Sequence, residues 1–221
     1  MQSLWWQIFD VLGTVAFALS GVLVAISRRM DIFGVFVLSA ATAVGGGIIR
    51  DIILGEIPPS AFRTSMYFWL IISTLCLASI SVRYINSGKW QHMMRYSIHF
   101  YLICDAVGLG SFTVTGTLLG CYLYPQYWTL AITLGVLTAV GGGVIRDVLA
   151  GRIPGVFKKD IYATASLSGA VVLYLLFISL EMSLNAAAVI GFIFTVAIRL
   201  VAVFFHLNLP RVKRKRREQF F

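Results

Sequence analysis

Two copies of one ionisable motif lie inside long apolar runs. Val44-Gly45-Gly46-Gly47-Ile48-Ile49-Arg50-Asp51, trailed by Gly55-Glu56-Ile57-Pro58, returns as Val140-Gly141-Gly142-Gly143-Val144-Ile145-Arg146-Asp147, trailed by Gly151-Arg152-Ile153-Pro154. A guanidinium and a carboxylate at membrane depth are costly unless paired, and such groups mark an ion or substrate path by default. Three successive glycines weaken a helix by about 1 kcal/mol apiece relative to alanine. Each triplet therefore predicts a break, with one half-helix ending in free carbonyl oxygens and the next beginning in free N–H groups. Those carbonyls, with the hydroxyls of Ser20, Thr42, Thr115 and Thr138, could replace part of a cation's water shell. Close helix packing through the same small residues is the alternative.

A second doubled pattern carries two more carboxylates. Asp10-x-x-Gly13-x-x-x-Phe17-x-x-x-Gly21 matches Asp105-x-x-Gly108-x-x-x-Phe112-x-x-x-Gly116. The expected pairs are Asp10 with Arg50 and Asp105 with Arg146, either stapling helices together or bordering water, since buried ion pairs need further hydrogen bonds. Arg199 either joins Asp105 and Asp147 or snorkels to the headgroups. Gly55 and Gly151 read as helix ends that Pro58 and Pro154 keep from continuing.

The elements that position these groups follow from composition. Of 221 residues 59% are hydrophobic and only 12% charged, and the mean hydropathy is +0.87. That is the balance of a polytopic membrane protein with no room for a soluble domain. Apolar segments long enough to span hydrocarbon run near 4–26, 32–54, 62–83, 97–120, 127–150, 161–180 and 185–206. Seven crossings put Arg28, Arg29, Arg83, Lys89, Arg95, Arg152, Lys158, Lys159 and the basic tail on one side, against Arg63 on the other. The positive-inside rule then places the carboxyl end in the cytoplasm and the amino end outside. Trp5, Trp6, Trp69, Tyr122, Tyr124, Tyr127 and Trp128 gather at the outer boundary, and Tyr84, Trp90 and Tyr96 at the inner one, as aromatic belts.

The doubled motifs divide the chain into a three-helix unit over 1–94, a second over 95–183, a seventh helix over 184–207 and a basic tail over 208–221. Because three is odd, the second unit enters the bilayer from the opposite face. The fold expected is therefore an all-α integral membrane protein built on an inverted three-plus-three repeat plus a seventh helix.

The remaining residues say less. Cys76, Cys104 and Cys121 have no paired or metal-like spacing and read as packing residues; His92, His99 and His206 share no spacing, and Glu181 reads as solvated at a helix end. No metal site, cofactor motif or catalytic constellation is visible, so an enzyme is not expected. The tail from Pro210 to Arg217 attracts anionic lipid at about 1 kcal/mol per basic residue. Nothing beside it offers a base-reading element for nucleic acid.

With both long motifs in place, the chain resembles the prokaryotic branch of the trimeric intracellular cation (TRIC) channels over roughly residues 4 to 207. The resemblance implies a homotrimer with a hydrophilic pore in each subunit, formed around kinked second and fifth spans and conducting monovalent cations, potassium foremost. It implies that Gly45, Gly46, Gly47, Arg50 and Asp51, with Gly141, Gly142, Gly143, Arg146 and Asp147, border that path, joined by Asp10, Asp105, Ser20 and Thr115. The lysine-containing phosphoinositide motif of animal members has only Arg50 and Asp51 in its place, and the Gln219-Phe220-Phe221 end is no retention signal. A prokaryotic plasma membrane is the location expected. Two other functions fit the same features: a secondary transporter of a small zwitterion such as glycine, and a lipid-organising assembly protein.

Overall fold

Nearly every apolar run becomes one helix. The computed structural model describes residues 4–84, 90–158, 161–205 and 207, with the side chains of 81–84, 90–97 and 158 outside the described set. The helices are α1 (Leu4–Ser27), α2 (Ile32–Ile53), α3 (Ser60–Arg63), α4 (Met66–Tyr84), α5 (Trp90–Leu123), α6 (Trp128–Leu149), α7 (Gly155–Lys158), α8 (Ala163–Tyr174) and α9 (Leu184–Phe204). A π-helical turn, Leu175–Ser179, prolongs α8. α3 and α7 are single turns, which leaves the seven spans expected. Among the described residues five helices pass the length and apolarity of a membrane crossing, Leu4–Ser27, Ile32–Ile53, Ile98–Leu123, Trp128–Leu149 and Leu184–Phe204, while Met66–Ile80 and Ala163–Ser179 are shorter apolar helices. Lys89, Lys159, His206 and the whole basic tail lie outside the described residues, as do the side chains of Arg83, Tyr84, Trp90, His92, Arg95, Tyr96 and Lys158.

The ends are set by local chemistry. Asp31 caps α2 by accepting from the Gly34 amide at 2.7 Å, and Ser183 caps α9 by accepting from Ala186 at 3.4 Å. α2 and α6 stop in the same Schellman turn. Gly55 donates to the Ile52 carbonyl at 3.1 Å and Glu56 to Asp51 at 2.9 Å; Gly151 donates to Val148 and Arg152 to Asp147, both at 3.0 Å. Gly55 and Gly151 take φ of 74° and 64°, which a β-carbon disfavours. α5 begins seven residues before the expected 97, because the chain ahead of the apolar run is also helical.

α1, α2, α5 and α6 form the centre. α4 packs on α1 and α2, α8 packs on α5 and α6, and α9 lies against α5 and α8. This is the inverted three-plus-three repeat with a seventh helix added to the second unit. Phe17, Leu109, Phe112, Ala139 and Val140 fill the middle. Large apolar side chains such as Ile32, Phe33, Trp69, Leu180 and Phe205 stand exposed on the outside, where lipid rather than water is the expected neighbour.

The expected break at the glycine triplets does not form. α2 and α6 run unbroken through Gly45–Gly47 and Gly141–Gly143, so no half-helix ends at the triplets. The reason is contact. A β-carbon on Gly46 would collide with the Thr138 carbonyl oxygen, and one on Gly142 with the Thr42 carbonyl oxygen. The glycines let the backbones of α2 and α6 touch, and that approach replaces the polar compensation a break would have needed.

Candidate functional site

Each unit carries one buried polar cluster, and the clusters are built alike. In the second unit Arg146, from α6, reaches Asp105 of α5 with an Nη1–Oδ1 distance of 2.7 Å. Its Nη1 also donates to Ser20 of α1, and its Nε donates to Asp147 at 2.9 Å. The guanidinium lies 5.1 Å from the centre of the Tyr101 ring. Arg199 of α9 brings its Nη2 within 3.7 Å of Asp105, donates to the Ile161 carbonyl at 3.3 Å and stands 4.7 Å over the Tyr162 ring. It thus joins the Asp105 group rather than snorkelling. Tyr162 donates to Asp105 at 3.5 Å.

Asp147 works in two directions. One carboxylate oxygen takes Arg146 and, at 2.7 Å, Arg152. The other accepts from the Gly155 amide at 2.8 Å and so anchors the start of α7. The Gly-x-x-Pro loop is thereby folded back onto the motif that precedes it.

The first unit repeats this plan with different partners. Arg50 pairs with Asp51 at 2.8 Å, and Asp51 accepts from the Ser60 amide at 2.8 Å and the Ser60 hydroxyl at 2.6 Å. The guanidinium stands 5.6 Å over Trp6. The expected ion pair between Asp10 and Arg50 is not formed. Asp10 accepts instead from the Tyr67 hydroxyl at 2.7 Å, and Arg50, adjacent to Asp51 in sequence, closes on that carboxylate. Glu56 pairs with Arg63 at 2.6 Å on the exposed surface, whereas its counterpart Arg152 turns toward the cluster.

Tyr67, Tyr101 and Tyr162 carry no signal in the doubled motifs, and Trp6 is expected in an outer aromatic belt. It is buried, and its Nε1 donates to the Thr115 carbonyl at 3.1 Å. The signal was present in the spacing: Tyr67 matches Tyr162, and Trp6 matches Tyr101, at the offset that relates Asp10 to Asp105.

The hydroxyls proposed as cation ligands are all buried. Thr42 and Thr138 each donate to the carbonyl four residues back, at 2.6 Å, and Thr115 donates to Phe112 at 3.4 Å. Their lone pairs, not their protons, are what remains for a ligand. Tyr101, Asp105, Gly143, Arg146, Asp147 and Arg199 border a cavity of about 20 Å³, room for one water. Gly45, Gly46, Gly141 and Gly142 lie apart from it at the α2–α6 contact, and Gly47 faces Arg50 of its own helix.

This chain matches a family model described as Glycine transporter twice, over residues 7–83 and 102–178. It is 37% identical over 201 residues, 91% of this chain and 93% of the relative, to the UPF0126 inner membrane protein YadS of Escherichia coli. Among solved structures it is similar to one described under the structural basis for conductance through TRIC cation channels, with 34% identity, a TM-score of 0.79 and coverage of 95% of this chain and 98% of that one. It is also similar to the TRIC trimeric intracellular cation channel orthologue from Rhodobacter sphaeroides, with 32% identity, a TM-score of 0.80 and coverage of 91% and 98%.

Proposed function

Because this chain belongs to the prokaryotic TRIC channel family, whose family model carries the description Glycine transporter, we propose that it is a passive cation channel. Each subunit of a homotrimer holds its own pore, which passes monovalent cations with potassium foremost. The location is the inner membrane of a prokaryote, with the amino end outside and the carboxyl end, with its lipid-adhering basic tail, in the cytoplasm.

The observation that carries this reading is the joint made by Arg146, which ties α1 of the first unit to α5 and α6 of the second. Hydrophilic groups from both units meet inside one chain. Asp10, Ser20, Arg50, Asp51, Asp105, Thr115, Arg146 and Asp147 border the path, and the glycine triplets set the spacing of α2 and α6 beside it. The cavity beside Arg146 has room for one water, less than a hydrated cation needs, so conduction past this cluster requires it to widen.

The rival is a carrier of a small zwitterion such as glycine, favoured by the family description. A carrier of that kind uses half-helix N-termini at mid-membrane to hold a carboxylate, and unbroken α2 and α6 offer none. Purified protein in planar bilayers decides between them. Unitary current steps that reverse near the potassium equilibrium potential in asymmetric potassium chloride are expected. Saturable counterflow of labelled glycine without current steps would replace the channel with the carrier.

A further inference from the structure

The two units repeat one plan with unequal charge. Among the described residues, the cluster of the first unit sets Asp10 and Asp51 against Arg50; Asp10 is held by the Tyr67 hydroxyl at 2.7 Å, while Arg50 turns to Asp51. The cluster of the second unit sets Asp105 and Asp147 against Arg146, Arg152 and Arg199. The first is left with negative charge in excess and the second with positive. Two features of the chain make this difference. Arg152 stands where the first copy of the motif has Glu56. Glu56 faces Arg63 at the exposed surface, whereas Arg152 lies 2.7 Å from Asp147 and donates to the Tyr101 hydroxyl at 3.3 Å. Arg199 comes from α9, which follows only the second unit, and stands 3.7 Å from Asp105. The seventh helix and a single exchange of residue thus undo the charge symmetry of the repeat.

A passage whose ends carry opposite fixed charge does not treat its two directions alike. Charge fixed in a cleft with low-dielectric walls raises or lowers the local concentration of the ion that enters there. With the amino end outside, the cluster of Asp10 and Asp51 lies in the outer half and the cluster of Arg146 and Arg152 in the cytoplasmic half. Cations therefore gather at the outer mouth and thin out at the inner one. We propose that the open pathway rectifies by charge, passing potassium into the cell more readily than out of it, and that Arg152 at the cytoplasmic rim is the residue that sets this bias. The inference rests on the reading of the chain as a cation channel in that orientation.

Arg152 is placed for that role. Its side chain is 29% exposed, against 2% for Arg146 and 4% for Arg199. The two buried guanidiniums spend their field on the carboxylates around them, while that of Arg152 also reaches the water at the mouth. Tyr101 and Asp147, the two residues it touches, both border the cavity. The charge belongs to the rim whatever the width of the path, so it acts on current through the open pore and not on how often the pore opens.

Unitary currents in inside-out patches from giant spheroplasts expressing the full-length chain test this, since the protein then keeps the orientation it has in the cell. Open-level amplitudes are compared at equal and opposite voltages in symmetric potassium chloride free of divalent cations. An elementary charge about 10 Å away changes the local concentration of a monovalent ion about two-fold in water. The inward amplitude should exceed the outward about two-fold in about 0.1 M salt and match it in about 1 M, where the screening length falls to about 3 Å. Arg152→Gln should bring the ratio close to unity, and Arg152→Glu, which copies the first unit, should reverse it. Arg152→Lys, which keeps the charge but not the forked hydrogen bonds to Asp147, should retain it. Equal amplitudes in wild type, or a ratio that Arg152→Gln leaves unchanged, overturn the proposal and leave the channel standing. A ratio lost in Arg152→Lys as well assigns the effect to the bracing of Asp147 and overturns it too. Wild-type patches without unitary currents remove the channel reading and this proposal with it.

Discussion

The rings of Phe17 and Phe112 meet edge to face, 5.2 Å between centroids with planes at 68°. Each ring also fills the space that a β-carbon would need at the other unit's glycine, Phe17 at Gly108 and Phe112 at Gly13. The doubled Asp-x-x-Gly-x-x-x-Phe pattern is thus a reciprocal lock between α1 and α5. Phe17→Ala should lower unfolding stability by about 3–5 kcal/mol, the usual loss for a buried aromatic, and Phe112→Ala should match it. Phe33→Ala, at an exposed ring, should leave the midpoint in detergent unmoved.

The contact between α2 and α6 gives a sharper comparison. At Gly46 and Gly142 a methyl would meet backbone carbonyl oxygens, which cannot rotate away, whereas at Gly47 the nearest atom is Arg50 Nη2 at 3.8 Å. Gly46→Ala and Gly142→Ala should each lose about 1–3 kcal/mol by overpacking. Gly47→Ala should be neutral or slightly stabilising in the same thermal assay. Helix propensity alone predicts a gain at all three positions, so gains at Gly46 and Gly142 equal to that at Gly47 would show that the helix contact does not explain the triplet.

Asp147 braces two arginines and the start of α7 at once. Asp147→Asn should therefore act first on stability, by about 3–5 kcal/mol, as breaking a buried pair does. Chemical denaturation of the detergent-solubilised protein measures this. A variant as stable as wild type but with altered cation-over-anion preference would show instead that the carboxylate faces permeating ions.

The paired tyrosines differ in reach. Tyr67 donates to Asp10 at 2.7 Å, but Tyr162 lies 3.5 Å from Asp105. Tyr67→Phe should cost about 1.5–3 kcal/mol, the range for a hydrogen bond to a charged group, and Tyr162→Phe clearly less, since Arg146 and Arg199 also hold Asp105. Thermal midpoints of the two variants, measured side by side, check the order.

Much of this was legible from the chain. Spans are long apolar runs whose ends are written in Asp31, Gly55 and Gly151, and the Asp105–Arg146 pair follows from the doubled spacing. The spacing pairs Tyr67 with Tyr162 but does not say that either tyrosine meets an aspartate, because only the three-dimensional return of α4 brings the Tyr67 hydroxyl to α1. The glycine triplets misled for a related reason. Intrinsic propensity predicts a break, but the touching backbones of α2 and α6 reward a continuous helix, and that reward lives in a neighbour the local sequence does not reveal. Trp6 was misplaced because position near a span end says boundary, while its indole in fact turns inward to Thr115.

Glu56 and Arg63 keep their ion pair with side chains 50% and 43% exposed, while Arg146 and Asp105 keep theirs at 2% each. Dissolved electrolyte weakens the first and barely touches the second. Salt in the bath thus reaches the brace that Arg63 makes to the loop after α2, while the tie between α5 and α6 holds at any ionic strength.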